Sequence, residues 1–457
     1  MFALPGILFL VVLVLVRPFE LEPSLQSIPL LYIAMGLALL GMAIDFGMGK
    51  NRYKSTPLTP LIILFYLWCF LTAARWDAGA AFGNTKPLLI CILISLVMIH
   101  GAARPQSLHR IAGTLLLCGV YLAFIGVHQG LSPKQCLVID ETENMEHAVP
   151  DGGRSCDQVV DCYSTVEYRW DKRYFCEKVG LFGTTSITDG RVRYVGKLHD
   201  PNELGLTVGC ALPIAYALRQ EKRSVPSAIW ALLATILIVL CVIFTGSRGA
   251  QLVVLAVFGC YFLVRSGVKG LVVAGIMAVP ALAFGGRGGG MASASTTARL
   301  ECWMSGAQMT LSSPILGVGY GNFLEHHVQT AHSAYLLASG ENGFVGLCLF
   351  LGIVYVAIKI PFVALRRYRE ADDPRRAWAV AVLAAMAGLS VGILFLSFTY
   401  HEVFWLFVGV AGAYYSVLVR VDPGYELKLG FKDVLGVMVG SVVLVVLTYL
   451  YASRKLG

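Results

Sequence analysis

Polar residues able to do chemistry are sparse in this sequence, and one run of them occupies residues 193–203. Asp200 followed by Pro201, with Glu203 at the third helical position, is typical of a helix start in which acidic side chains cap exposed backbone N–H groups. A helix amino terminus also attracts anions, and Arg193 and Lys197 would add positive charge beside it. The pattern leaves two interpretations open, a capped helix start and an anion-binding site.

A second candidate is Arg248, which stands in a tight turn, at residues 245–250, between two apolar segments. A guanidinium held just above the hydrocarbon layer can bind a phosphate group through two parallel hydrogen bonds. It can equally be an ordinary interfacial arginine that reaches toward lipid headgroups. The sequence favours neither alternative.

A third candidate is His332, because a neutral imidazole can accept the proton of a hydroxyl group. A structural histidine at a helix start is the competing interpretation. The glycines at 317–321 resemble a nucleotide-binding loop, but no strand precedes them, so we reject a nucleotide site. His326 and His327 could join His332 at a zinc ion, but no nearby Cys or Asp completes the ligand set, and no metal is predicted.

The elements that must position these residues are membrane-spanning helices. Of the 457 residues, 57% are hydrophobic and 14% are charged, and the mean hydropathy is +0.70, whereas soluble domains carry about 25% charged residues. A spanning helix needs about 20 apolar residues, and thirteen segments qualify: 2–17, 28–45, 58–74, 87–101, 110–130, 202–218, 226–245, 250–264, 270–284, 333–361, 377–397, 402–419 and 433–451. Residues 1–16 lack a basic region and a cleavage site, so we interpret them as a retained span.

Basic residues predict the orientation, since short cytoplasmic loops are enriched in Lys and Arg. They concentrate in alternate loops, which places the amino terminus in the cytoplasm and the long connections 131–201 and 285–332 outside. The net charge of +8 thus reflects topology, and no nucleic-acid partner is predicted. Thirteen spans would leave the carboxyl terminus outside, whereas Arg454 and Lys455 favour the inside, so we expect twelve or thirteen.

The two long loops have different compositions. The first holds Cys136, Cys156, Cys162 and Cys176, and four cysteines in an exported loop predict two disulfides, with three pairings possible. The second begins with a glycine-rich stretch at 285–290 and continues with apolar residues at helical spacing over 300–311. That segment is either an amphipathic helix in the membrane interface or an ordinary packed helix.

These observations divide the chain into five regions. They are amino-terminal spans at 1–130, the cysteine-containing loop at 131–201, central spans at 202–284, the loop with the amphipathic helix at 285–332, and carboxyl-terminal spans at 333–457.

Taken together, the motifs resemble those of the O-antigen ligase and O-antigen polymerase superfamily of bacterial membrane glycosyltransferases. The resemblance covers roughly residues 190–360, and the matching elements follow in the expected order: Asp200-Pro201-Asn202, Ser247-Arg248-Gly249, the arginine–tryptophan stretch at 299–303, Gly317-Val318-Gly319, and the segment with His332, Tyr335, Glu341 and Gly343.

The resemblance implies an all-α polytopic membrane protein of the GT-C-like glycosyltransferase architecture, in the bacterial inner membrane, with a periplasmic active site. Such enzymes move a glycan from undecaprenyl pyrophosphate to an acceptor hydroxyl, on a growing glycan or on lipid A core, with inversion and without a metal or other cofactor. Arg248, Arg299 and Arg193 are then expected to bind the pyrophosphate, and His332 to be the base. Supporting positions fall on His199, Asp200, Asn202, Glu203, Tyr335, Glu341 and His401, the last also a second candidate base.

Several functions remain open within and beyond this family. Polymerase, ligase and protein O-oligosaccharyltransferase share these motifs, with a slight preference for polymerase or ligase. A transporter or flippase of lipid-linked sugars would need charges near mid-membrane and two related halves. The centres of nearly all predicted spans carry no charge, which favours the enzyme.

Overall fold

The computed structural model describes residues 1–102, 104–140, 148–163, 172–188, 190–284, 289–370 and 372–456. Helices dominate the described chain, because a helix pairs its own backbone groups where no water is available. They are α1 Ala3–Leu15, α2 Pro18–Leu21, α3 Leu30–Gly47, α4 Leu58–Trp76, α5 Ala81–Gly101, α6 Pro105–Leu131, α7 Val159–Tyr163, α8 Pro201–Lys222, α9 Val225–Phe244, α10 Arg248–Ser266, α11 Val268–Phe284, α12 Gly289–Ser312, α13 Phe323–His326, α14 Ala334–Arg367, α15 Pro374–Gly392, α16 Glu402–Val421 and α17 Phe431–Leu456. The strands are β1 Lys134–Asp140, β2 Val149–Ser155 and β3 Lys172–Lys178.

Each of the thirteen predicted spans coincides with a helix, which confirms the expected multi-pass membrane fold as mostly helical. Within the described ranges, nine helices are long and apolar enough to cross a bilayer: α3, α4, α5, α6, α9, α10, α14, α16 and α17. Helix α1 is apolar but has only 13 residues. Helices α8, α11 and α15 fall on predicted spans without belonging to the nine.

Helices α8, α10 and α15 pack against one another and support one side of the site. Helices α8 and α15 are buried along most of their length. Gly205 of α8 lies so close to α10 that a Cβ atom there would overlap the Cβ of Ala250. Small residues at such crossings allow helices in membranes to approach closely. The contact sets the start of α8 beside the start of α10.

Helix α14 is broken near its amino end at Gly343, which has a φ of 67° and a ψ of −170°. The segment before α13 runs along this break and replaces the missing helical hydrogen bonds. The Phe344 N–H donates to the Pro314 carbonyl oxygen at 2.7 Å, and the Gly319 N–H donates to the Glu341 carbonyl oxygen at 2.9 Å. The glycines that resemble a nucleotide loop therefore pack against a helix break.

The 131–201 loop contains a small antiparallel sheet with strand order β2-β1-β3, which the sequence analysis did not predict. Both predicted disulfides are present, and the structure selects one pairing, Cys136 with Cys162 and Cys156 with Cys176. Cys136 of β1 lies opposite Cys176 of β3 in the register. The cross-links and the side chain of Tyr174 form the core of this sheet.

Helix α12 covers the 300–311 segment, for which the sequence predicted a helix, and it packs against α14 and α17. Leu300, Cys302 and Ala307 are buried, whereas Leu311 is 45% exposed. One face of this helix is therefore covered by its neighbours. Of the predicted glycine-rich stretch at 285–290, residues 285–288 lie outside the described residues, and the rest begins α12.

Candidate active site

A cavity of about 350 Å³ opens between the starts of α8 and α10 and one side of α12. Its polar lining residues include six that lie on different parts of the chain: Arg191, Asp200, Asn202, Arg248, Arg299 and His332. Five of these six are among the residues predicted from sequence. The cavity therefore brings together side chains that lie up to about 140 positions apart in the chain.

The starts of α8 and α10 are capped and joined to each other. Asp200 caps α8, since its Oδ1 accepts from the Asn202 N–H at 2.7 Å, and Glu203 reaches back to the Asp200 backbone. Ser247 caps α10 by accepting from the Ala250 N–H at 3.0 Å. Its own Oγ donates to Asn202 Oδ1 at 2.5 Å. Two helix amino termini, each with a positive dipole end, thus border the same cavity.

Arg191 lines the cavity and was missed by the sequence analysis. Its side chain is 8% exposed, and Nε donates to the Thr245 carbonyl oxygen at 2.9 Å, which fixes it against the turn before α10. The predicted arginine, Arg193, lies two residues away and does not line the cavity. Its Nε donates to the Thr185 carbonyl oxygen at 2.9 Å, so it holds the 131–201 loop together. The sequence signal that could have pointed to Arg191 is the run Arg191-Val192-Arg193, in which two arginines flank one apolar residue.

Arg248 and Arg299 approach the cavity from different helices. Arg248 is the first residue of α10 and is exposed, and Arg299 lies in the first half of α12 and is half-buried. Together with Arg191 they place three guanidinium groups around one cavity. Since a guanidinium stays charged at every physiological pH, this arrangement can bind an anion with several charges.

His332 has a backbone φ of 47°, in the left-handed region that residues other than glycine rarely adopt. The conformation is held on both sides. Trp303 Nε1 donates to the His332 carbonyl oxygen at 3.5 Å, and the Ala334 N–H donates to the Ile393 carbonyl oxygen at 2.8 Å. Strained backbone of this kind is often found at functional sites.

The half-buried ring of His332 is biased toward its neutral form. Burial lowers the pKa of His332 below its ordinary value of 6.5, the positive charge of Arg299 lowers it further, and Asp200 opposes this shift. A neutral imidazole can accept a proton, so the ring is suited to act as a base.

Other predicted positions support the fold around the cavity without lining it. The Tyr335 hydroxyl donates to the Ser390 carbonyl oxygen at 3.2 Å. Glu341 is buried, where its carboxylate accepts from the Tyr400 hydroxyl at 2.8 Å and from the Phe323 N–H at 3.2 Å. Both side chains therefore fix α14 to its neighbours.

The remaining two predicted histidines also lie outside the cavity lining. His199 is exposed, and its Nδ1 lies 2.6 Å from the Gly196 carbonyl oxygen. His401 is buried and caps α16, since its Nδ1 accepts from the Val403 N–H at 3.2 Å and its Nε2 donates to the Lys197 carbonyl oxygen at 3.0 Å. Burial lowers the pKa of His401 to about 4. With both ring nitrogens engaged, His401 is placed as a structural residue.

The donor set of the cavity is suited to anions. Among the residues that the structure describes, the one group close enough to share a metal ion is Cys136, Cys156 and Cys162, and all three are in disulfides. The cavity itself is bordered by guanidinium groups and helix amino termini, which repel cations.

The comparison with known families agrees with the motifs. Residues 233–351 match the family model described as O-antigen ligase, and no curated protein matches the chain. The matched segment extends from within α9 to within α14 and includes Arg248, Arg299 and His332, whereas Arg191 and Asp200 precede it. The match supports the resemblance to the O-antigen ligase and O-antigen polymerase superfamily that the motifs predicted, and the nine long apolar helices of the described residues indicate a multi-pass membrane protein.

Proposed function

We propose that this protein transfers a glycan from undecaprenyl pyrophosphate to a sugar hydroxyl of an acceptor, at the periplasmic face of the bacterial inner membrane. The observation that carries the proposal is that three arginines and a half-buried histidine line one cavity. The family supports a lipid-linked glycan donor and a glycan acceptor. The donor lipid, the acceptor hydroxyl and the face of the membrane are the parts that we propose.

The arginines are assigned to the leaving group. Transfer breaks the bond between the anomeric carbon and a pyrophosphate oxygen, so negative charge grows on that oxygen in the transition state. Arg191, Arg248 and Arg299 border the cavity and would stabilise that charge without a metal ion. Fixed positive groups in a partly dry site stabilise such a transition state strongly, because they need no reorganisation during the reaction.

His332 is assigned to the acceptor. Its neutral ring takes the proton of the acceptor hydroxyl while the hydroxyl oxygen attacks the anomeric carbon. The electron pair of the broken bond leaves with undecaprenyl pyrophosphate, and the proton stays on the imidazole until solvent removes it. Attack from the face opposite the leaving group inverts the anomeric centre. Arg299, which borders the same cavity and lowers the pKa of His332, links the two halves of the site.

A transfer assay with purified protein tests the proposal. Arg248→Gln and Arg299→Gln are compared with the unchanged protein on a lipid-pyrophosphate-linked oligosaccharide and a glycan acceptor. Each substitution should lower kcat about 10²- to 10³-fold, the usual cost of losing one charge-stabilising donor. Arg366→Gln is the matched control, because Arg366 is exposed at the far end of α14 and lies over the Phe362 ring. Unchanged transfer by both cavity variants would contradict the proposal.

A further inference from the structure

A second large cavity, of about 550 Å³, lies at the opposite end of the bundle from the candidate active site. It is a groove between α6, the end of α8 and the start of α9. Helix α8 has 22 residues from Pro201 at the active site to Lys222 at the groove, a distance of about 33 Å at 1.5 Å per residue. That distance is about the thickness of the hydrocarbon core of a bilayer, so the two cavities would lie near opposite surfaces of a membrane that the helices span.

The floor of this groove is apolar and opens toward the surroundings of the bundle. It is lined by Leu116, Val120, Ala231 and Ala234, with the Trp230 ring at the side. On α6 the lining extends from His109 to Val120, about 16 Å along the helix axis. Trp230 is 63% exposed, as expected of a side chain that faces lipid near a membrane surface.

The mouth of the groove is cationic. Arg219 and Lys222 line it together with the hydroxyls of Ser224 and Ser227. Neither cation forms an ion pair with a residue in the described part of the chain. Glu221, which lies between them in the chain, is engaged elsewhere, since one oxygen lies 2.7 Å from His109 Nδ1 and the other accepts from Trp378 Nε1 at 2.5 Å.

We propose that this groove binds an anionic diacyl phospholipid, with the phosphate at Arg219 and Lys222 and an acyl chain along α6 and α9. Topology alone requires basic residues at the cytoplasmic surface, but it does not require an apolar groove that leads away from them. Basic mouths above apolar clefts between membrane helices suit anionic lipid headgroups. A free phosphate would use the cations and leave the floor unoccupied, so the shape favours a lipid.

The charged mouth and the apolar floor of the groove can be altered separately by substitution. Arg219→Gln combined with Lys222→Gln removes the charges. Gly113→Phe fills the floor, because a Cβ atom at Gly113 meets no atom within 4 Å and the residue lines the groove. Matched controls are Lys54→Gln with Lys432→Gln, two exposed cations, and Gly436→Phe, where a Cβ atom also meets nothing within 4 Å.

Native mass spectrometry of the detergent-solubilised full-length protein measures the binding. The probes are phosphatidylglycerol, phosphatidylcholine with the same acyl chains, and glycerol phosphate. Phosphatidylglycerol should bind best, and the charge variant should bind it roughly thirtyfold more weakly, about fivefold for each cation removed. Gly113→Phe should weaken both lipids, and the two controls should stay within twofold of the unchanged protein.

Three results would overturn the proposal. Equal binding of the two lipids would show that the cations do not select a headgroup. Unchanged binding by Gly113→Phe would remove the acyl chain from the groove. Glycerol phosphate bound as tightly as phosphatidylglycerol would make the groove a site for a soluble anion. Thermal unfolding of every variant, measured in the same detergent, separates loss of binding from loss of folding.

Discussion

Removing the hydrogen bond between Ser247 Oγ and Asn202 Oδ1 should loosen the active-site cavity. The bond is 2.5 Å long and joins the caps of α8 and α10. Ser247→Ala removes this bond and the cap of α10, which should lower the free energy of unfolding by about 2 kcal/mol. Asn202→Ala removes the same bond and the contact of Asn202 with Asp200.

A double-mutant cycle isolates the shared bond. Each single substitution already breaks the bond. The effects of the two single substitutions on transfer should therefore sum to about 1 kcal/mol more than the effect of the double substitution, which corresponds to about fivefold in kcat/KM. The assay is glycan transfer by the unchanged protein, the two single variants and the double variant, with thermal unfolding measured on the same samples.

A matched control cycle uses Tyr216→Phe and Thr235→Ala. Their hydroxyl groups lie 2.9 Å apart and join α8 to α9 away from the cavity. This pair should show coupling in stability but none in transfer. Losses in transfer that simply add for Asn202 and Ser247, within about 0.3 kcal/mol, would refute the argument that their bond positions the site.

Three further predictions concern the base, the helix break and the cysteine-rich loop. Transfer should fall as the pH drops through the pKa of His332, which lies below 6.5. Arg299→Gln raises that pKa and should move the acid limb of the pH–rate profile to higher pH, whereas Asp200→Asn should move it to lower pH. An acid limb that neither variant moves would exclude His332 as the titrating group. Gly343→Ala places a Cβ atom against the backbone of the segment before α13, at a φ of 67°, and should lower thermal stability by roughly 2–3 kcal/mol; a neutral effect would contradict the described break. Replacing Cys136 and its partner by Ser opens a link between cysteines 26 residues apart and should cost the loop about 3 kcal/mol, seen as faster proteolysis confined to 131–201; uniform protection would contradict this.

The helices were predictable because the bilayer leaves an apolar segment few alternatives. Backbone groups in hydrocarbon must be paired within the segment, so each of the thirteen apolar runs became a helix. The cap at Asp200 with Pro201 was also predictable, since both residues act on their own turn of helix. Both features can be predicted from short sequence segments, because the interactions that cause them do not depend on the rest of the fold.

The sheet in the 131–201 loop could not be predicted from local sequence. Strand β2 contains Pro150, Gly152 and Gly153, residues with little tendency to form strands. It is held by pairing with β1, beside the two disulfides that cross-link this loop. The sequence left three pairings of the cysteines open, because the choice depends on how the strands align.

Tertiary contacts decide which of the predicted side chains line the cavity. Arg191 and Arg193 are two residues apart, and only the contact of Arg191 with the Thr245 carbonyl oxygen decides which one reaches the cavity. Sequence placed Tyr335 and Glu341 at a suitable depth along α14 but could not give the rotation of the helix. The structure turns both of them toward neighbouring helices instead.

The most direct test of the proposed reaction is the rate of glycan transfer by purified protein carrying His332→Ala, with a lipid-pyrophosphate-linked donor and a glycan acceptor. His326→Ala is the matched control, because His326 is exposed on α13 and does not line the cavity. We expect a fall of about 10²- to 10⁴-fold in kcat for His332→Ala and no change for His326→Ala. Transfer by the His332 variant at the rate of the unchanged protein would contradict the proposed reaction.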